Sequence, residues 1–145
     1  MSNGVHIRAA ADPDAESIAR LMGELGYPST PEQVRARMAR VAGDDPYAAF
    51  VAEVDGAVAG FLGLQTGWAY EHDRPFARII TLVVDARVRR RGVGAALVEF
   101  AEVWARERGA YVLMLTTNVR RQEAHRFYES VGFSRTGYRY ARALE

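Results

Sequence analysis

Residues 47–84 constrain the fold most. They hold "YAAFVAEV" from Tyr47, "AVAGFLGLQTGW" from Ala57 and "FARIITLVV" over 76–84, with Asp55-Gly56 between the first two. An Asp-Gly step flanked by apolar runs is a strong β-hairpin signal. The third run is rich in β-branched residues and nearly all apolar, which predicts a central strand buried on both faces. Three consecutive strands thus stand in the middle of the chain, and the flanking segments decide what covers them.

Upstream, "VHIRAA" (5–10) alternates and reads as a first strand. "DPDAESIARLMGEL" (12–25) has an Asp cap, a Pro at the first helical position and apolar Ile18, Leu21, Met22 and Leu25, with Gly26 as its stop. "TPEQVRARMARVA" (30–42) repeats the cap-then-Pro signature over a narrow stripe of Val34, Met38 and Val41. Downstream, a helix is predicted from about 92 to 108, a buried strand over 111–118 and a helix from about 120 to 131 that stops at Gly132. "FSRTGYRYARAL" (133–144) alternates and reads as one or two final strands. The order describes an α+β fold, a mostly antiparallel sheet with helices packed on it. With no repeat or linker, 1–145 is expected to form a single domain.

Composition excludes several chemistries. All 19 basic residues are arginine, so a lysine Schiff base, a lysine base and a Walker-type phosphate loop are ruled out. Without cysteine there is no disulfide, thiolate metal site or cysteine nucleophile. His6, His72 and His125 are widely spaced, so no metal site is expected. A net charge of +1 provides no global field toward nucleic acid or membrane. No run approaches the roughly 18 apolar residues of a membrane span, and "MSNGVHIRAA" does not read as a signal peptide. A cytoplasmic setting is expected.

The strongest local feature is "RVRRRGVGAALVEFA" (87–101), a basic turn entering a helix. The first N–H groups of a helix lack intrahelical partners, and the peptide dipoles add about half a positive charge there. Gly92 and Gly94 let an anion approach the backbone, so the position suits a phosphate or pyrophosphate. A dinucleotide fingerprint is not met, because Leu97 stands where Gly or Ala is required. A solvated basic turn before a core helix is the plain alternative. A nucleic-acid patch is disfavoured, since the charge is local and no aromatic residues are interleaved with it.

"LVVDARVRRRGVGAALVEFA" (82–101) resembles the acetyl-CoA signature of the GNAT family of N-acetyltransferases, with Arg89, Gly92 and Gly94 in its fixed places. "TTNVRRQEAHRFYESVGF" (116–133) is similar to the family's second signature of Asn, Ala, Phe-Tyr-Glu and Gly-Phe. The resemblance covers most of the chain from Tyr47 and, weakly, the helical first third. It implies a mixed, mostly antiparallel sheet of six to seven strands with helices on both faces. It also implies acetyl-CoA as co-substrate. Main-chain N–H groups of Arg89, Arg90, Arg91, Gly92, Val93, Gly94 and Ala95 would hold the pyrophosphate. Leu82, Val83 and Val84 would pair with the pantetheine arm, the Leu82 amide donating to the thioester carbonyl. Asn118 would bond the pantetheine amide, His125 would pack or contact CoA, and Tyr128 would face the sulfur.

Transfer to an amine requires a base for the ammonium, donors for the oxyanion and an acid for the leaving thiolate. The resemblance makes Tyr128 the acid. Thr81 stands where many relatives carry a glutamate, so a carboxylate base from that strand is in doubt. The loop 67–75 offers Glu71, His72 and Asp73 instead; water chains or Glu53 are further options. The acceptor is expected between 26–31 and 67–75, with Tyr27, Trp68 and Tyr70 as walls, Glu71 and Asp73 near the amine, and Arg74 and Arg78 available to an acidic group. The expected acceptor is a small-molecule primary amine, attacked directly in a ternary complex. The segment from "TTNVRR" to "ARAL" is also similar to aminoalkylphosphonate N-acetyltransferases. The rival readings are a non-catalytic CoA-binding regulator, an enzyme for a peptide or protein amine, and a nucleic-acid module. No nucleic-acid or membrane partner is expected, and family habit points to a homodimer.

Overall fold

Asp55 and Gly56 both adopt left-handed backbone, with φ of 53° and 80°. In the computed structural model, which describes residues 4–117 and 120–144, this tight turn joins β2 (Tyr47–Val54) to β3 (Ala57–Gly67) in register from Val54↔Ala57. The left-handed pair gives the hairpin the twist its strands require. β1 (Val5–Ala9) lies antiparallel beside β2, and β4 (Phe76–Val84) antiparallel beside β3. β5 (Val112–Met114) runs parallel to β4, which completes a five-stranded sheet in the order β1-β2-β3-β4-β5.

Helices cover both faces of this sheet. α1 (Ala15–Leu25) and α2 (Pro31–Val41) pack Ala15, Ile18, Ala19 and Val34 with Val51 of β2 and the partly buried Phe61 of β3. Side chains alternate along a strand, so Ala52 and Gly60 face the other way, toward α3 (Val93–Glu107). A Cβ on Gly60 would stand 3.1 Å from Leu97 Cδ1 and 3.3 Å from Val93 Cγ1, so glycine lets the first turns of α3 lie close on the sheet. Leu62, Leu64 and Leu97 are fully buried; each contributes roughly 1.5–3 kcal/mol of apolar burial. α2 begins with the reciprocal cap that "TPEQ" predicts: Thr30 Oγ1 accepts from Gln33 N–H, and Gln33 Oε1 accepts from Thr30 N–H. The predicted start of the first helix is a 3-10 turn, Asp12–Asp14, leading into α1.

The chain divides into two compact units, Met1–Met114 and Leu115–Glu145. The second holds α4 (Gln122–Ser130). No helix among the described residues is long and apolar enough to cross a membrane.

The α+β layout with a mostly antiparallel sheet is as expected, but the strand count is five, not six or seven. The strand expected over 111–118 is only Val112–Met114. Residues 133–144 carry no strand, and Tyr138, Tyr140 and Leu144 of this segment are 86%, 91% and 92% exposed. Alternation stabilises a strand only when one face is buried, and these side chains bury almost nothing.

Candidate functional site

The turn between β4 and α3 is built by its backbone. After Asp85, a 3-10 turn over Ala86–Val88 brings the chain to Arg90 and Gly92, both left-handed with φ of 72° and 82°. Glycine takes this conformation without strain, and a Cβ on Gly92 would meet nothing within 4 Å, so the space beside it is open. The N–H groups of Val88, Arg89 and Arg91 are used inside the turn, donating to Asp85, Ala86 and Val88 carbonyls. Those of Arg90, Gly92, Val93, Gly94 and Ala95 have no acceptor among the described residues; Ala96 N–H is the first to bond back, to Gly92 O. Unpartnered main-chain donors at and just before a helix N-terminus suit an oxyanion.

Most of the arginine charge in this turn is already committed. Asp85, 2% exposed, accepts from Arg20 Nη1 at 2.6 Å, Arg87 Nη2 at 2.7 Å and Arg87 N–H at 2.9 Å. The Arg87 guanidinium, seconded by Arg87 N–H and Arg20 and opposed by burial, holds this carboxyl well below the usual carboxylate range. Glu24 of α1 accepts from Ala86 N–H at 2.9 Å and lies 4.0 Å from Arg89. Arg91 reaches Asp55 of the hairpin turn at 3.4 Å. Of Arg87, Arg89, Arg90 and Arg91, only Arg90 has no carboxylate partner among the described residues. The basic cluster therefore shapes the turn as well as charging it.

Beyond Arg78, β4 has no ladder partner on its β5 side among the described residues. Its pairing with β5 covers only Phe76↔Val112, Ala77↔Leu113 and Arg78↔Met114. Just beyond, Thr81 pairs with Gly63 and Ile79 with Leu64, so Ile80 is bulged out of the ladder with β3. A bulge bends the strand and ends regular pairing. Asp85 N–H donates to Ala59 O of β3 at 2.8 Å. Amides alternate sides along a strand, so the N–H groups of Val84 and Leu82 point to the open side, and that of Val83 to β3. Leu82 and Val84 are half-buried and Val83 buried. An extended, amide-bearing ligand can add here as another strand.

In the second unit, Tyr128 sits near the end of α4. Gly132 N–H donates to Glu129 O and Phe133 N–H to Tyr128 O, the paired bonds of a Schellman stop. The Phe133 and Tyr128 rings meet edge-on at 5.9 Å, the apolar contact that accompanies this stop. Gly-Phe after the helix thus fixes the tyrosine. Burial pushes the Tyr128 hydroxyl above the ordinary phenol value, and Arg121 opposes this in part. His125 lies half-buried on α4. Asn118 lies outside the described residues.

In the loop between β3 and β4, Glu71, His72 and Asp73 are exposed. His72 stacks on Tyr111, with ring centroids 4.0 Å apart and planes 26° apart. Tyr27, Trp68 and Tyr70 are 66%, 72% and 109% exposed. No closed aromatic wall forms around them. Glu53 binds Arg8 Nε at 3.0 Å, beside His6 of β1 in the register, so its carboxylate is already engaged on the sheet.

Sequence reasoning missed Asp85, Arg20 and Glu24. Asp85 closes a buried strand, a local hint, but Arg20 lies 65 residues away.

The profile described as Acetyltransferase (GNAT) family matches residues 15–133. The chain belongs to this family. The aminoalkylphosphonate N-acetyltransferase of Salmonella typhimurium is 30% identical over 144 residues, covering 95% of this chain and 90% of that one. That similarity extends well beyond the C-terminal segment on which the sequence reading placed it. A type 1 aminoglycoside N(6')-acetyltransferase of Serratia marcescens is 28% identical over 115 residues, 76% of this chain and 79% of the other. A solved Bacillus halodurans structure described as a transcriptional regulator is 25% identical with a TM-score of 0.85, over 97% of this chain and 99% of that one.

Proposed function

We propose that the protein transfers the acetyl group of acetyl-CoA to the primary amine of a small molecule. The observation that carries the proposal is the row of unpartnered N–H groups at Arg90 and Gly92–Ala95, continuous in sequence with the open β4 edge at Leu82 and Val84. The first suits a diphosphate, the second an extended arm with amides. Acetyl-CoA has these two parts in series. Arg90 adds a charge that no carboxylate among the described residues neutralises.

Leu82 N–H donates to the thioester carbonyl and strengthens its bond as the oxyanion forms. The amine attacks directly, in a ternary complex, and CoA leaves as a thiolate. Tyr128 donates the proton to that thiolate; its raised pKa keeps the phenol protonated across the neutral range. Removal of the ammonium proton falls to His72 or Glu71, or to water that they order, since β4 supplies Thr81 in place of an acid. Asn118 and His125 serve the CoA arm, on the strength of the motif they occupy.

A second reading rests on one observation, the lack of a carboxylate on β4 facing the acceptor. It makes the protein a CoA-binding regulator without turnover. Thiol release from acetyl-CoA, followed across a panel of amines with CoA binding measured by calorimetry, separates the two. Turnover with any amine supports the enzyme. CoA binding without turnover supports the regulator, and absence of CoA binding overturns both.

A further inference from the structure

Of the 19 arginines, only Arg8 and Arg78 are half-buried; the others are exposed. Arg8 is satisfied by Asp14 at 2.8 and 2.9 Å and by Glu53 at 3.0 Å. Arg78 has no carboxylate partner among the described residues. Its Nη2 donates to Gln65 Oε1 at 2.7 Å, and its guanidinium lies 5.8 Å from the Phe76 ring centroid. Its Nε is buried without a partner, and Nη1 has no hydrogen bond among the described residues. A cation drawn partly out of water with only neutral company is costly until an anion joins it.

The guanidinium is held in place. Tyr47, Gln65 and Arg78 are direct cross-strand neighbours on β2, β3 and β4. The Gln65 amide is fixed from both ends, its Nε2 donating to Tyr47 Oη at 3.2 Å while its oxygen accepts from Arg78. By alternation from Val51 and Phe61, this ladder lies on the face covered by α1 and α2. Arg78 is also the last β4 residue paired to β5. Leu82 is four residues further along, roughly 13 Å at strand rise, a span that one small molecule and its contacts can bridge.

We infer that Arg78, positioned by the Tyr47–Gln65 ladder, binds an anionic group on the acceptor, so that the substrate is a short amine bearing a phosphonate, phosphate or carboxylate. The inference rests on the acetyltransferase reading for the amine end of that molecule. The free guanidinium end is a donor of fixed geometry for an oxyanion. Gln65→Glu tests this directly, because it gives Arg78 the carboxylate it lacks with almost no change in shape.

The experiment compares kcat/KM for aminoethylphosphonate, phosphoethanolamine, β-alanine and 3-aminopropanol. The wild-type protein is expected to favour one or more of the three anionic amines over the alcohol by at least about tenfold. Which anion leads identifies the group. Gln65→Glu and Arg78→Gln should each erase that ratio, and Arg78→Lys should keep part of it. Equal use of the neutral amine by the wild type, or a ratio unchanged in Gln65→Glu, overturns the inference. In parallel, ethylphosphonate, ethyl phosphate and propionate are titrated against the CoA-loaded protein and thermal stability is read. Stabilisation of wild type by at least one of them, lost in Gln65→Glu, supports the anion site even where no amine is acetylated, an outcome that would sink the enzyme reading alone. Identical responses of the two proteins overturn the anion site and leave acetyl transfer standing.

Discussion

Replacing Asp85 by asparagine changes one oxygen to an NH2 group at a position whose side chain is 3% exposed. The carboxylate accepts from Arg20 Nη1 at 2.6 Å, from Arg87 Nη2 at 2.7 Å and Nε at 3.1 Å, and from Arg87 N–H at 2.9 Å. Asparagine can still accept the Arg87 N–H, but its amide nitrogen then confronts two guanidinium donors. Breaking a fully buried ion pair costs about 3–5 kcal/mol. Here the Arg20 and Arg87 side chains are 40% and 75% exposed and can turn to water. The cost should fall near that of charge-assisted hydrogen bonds, about 2 kcal/mol. For a chain of this size that lowers Tm by about 4–8 °C. Because Asp85 also pins the turn that presents the free amides, acetyl-CoA affinity should weaken by about three- to tenfold. Thermal unfolding and calorimetric titration with acetyl-CoA read the two effects, and Arg20→Met with the double variant closes a cycle whose coupling should exceed about 0.5 kcal/mol. A Tm within about one degree of wild type, with unchanged affinity, refutes the claim that this ion cluster holds the turn.

Tyr128→Phe should lower kcat by about 10²-fold or more while the KM for acetyl-CoA moves little, as expected for a proton donor; an unchanged kcat removes Tyr128 from the chemistry. Gly92→Val forces a β-branched residue into left-handed backbone beside the free amides and should weaken CoA binding at least tenfold, about 1.4 kcal/mol, readable by calorimetry. Asp14 and Asp85 are both held below the ordinary carboxylate value of 3.8 by guanidinium hydrogen bonds. The stability they contribute is therefore full above that value and is lost as pH falls below it. The urea midpoint should drop steeply between pH 4 and lower, and less steeply in Asp14→Asn.

What could be read from the sequence was local. The Asp55-Gly56 hairpin, the Thr30 cap and the glycine at the α3 N-terminus each depend on residues within a few positions of one another, and all three are where the sequence predicts them. The segment 133–144 shows the opposite case. Its alternation is a capacity for pairing, and with Tyr138 and Tyr140 almost fully exposed that capacity is not used in burial. The short β5 pairs only with Phe76–Arg78, just before the Ile80 bulge in the ladder with β3, and a bulge leaves no composition signature in an apolar run.

The same distinction divides the site. A phosphate cradle made of main-chain N–H groups needs little more than a local backbone pattern, and Gly92, whose φ is positive, announces it in one dimension. Its support does not announce itself: Arg20 and Asp85 are joined across 65 residues, and either could equally be a solvated surface charge. The proposed acceptor side is worse placed still, because recognition there would be made by side chains drawn from separate strands. Arg78 can be named as a cation from the sequence, yet so can eighteen others. What sets it apart is that Tyr47 and Gln65, its cross-strand neighbours, supply no charge, while Arg8 at the other end of the sheet has two carboxylates. On the proposed reading, specificity toward an amine is set by which residues the sheet register brings opposite each other. A change at Gln65, which carries no charge, should therefore redirect substrate choice more than a change at the exposed Arg74.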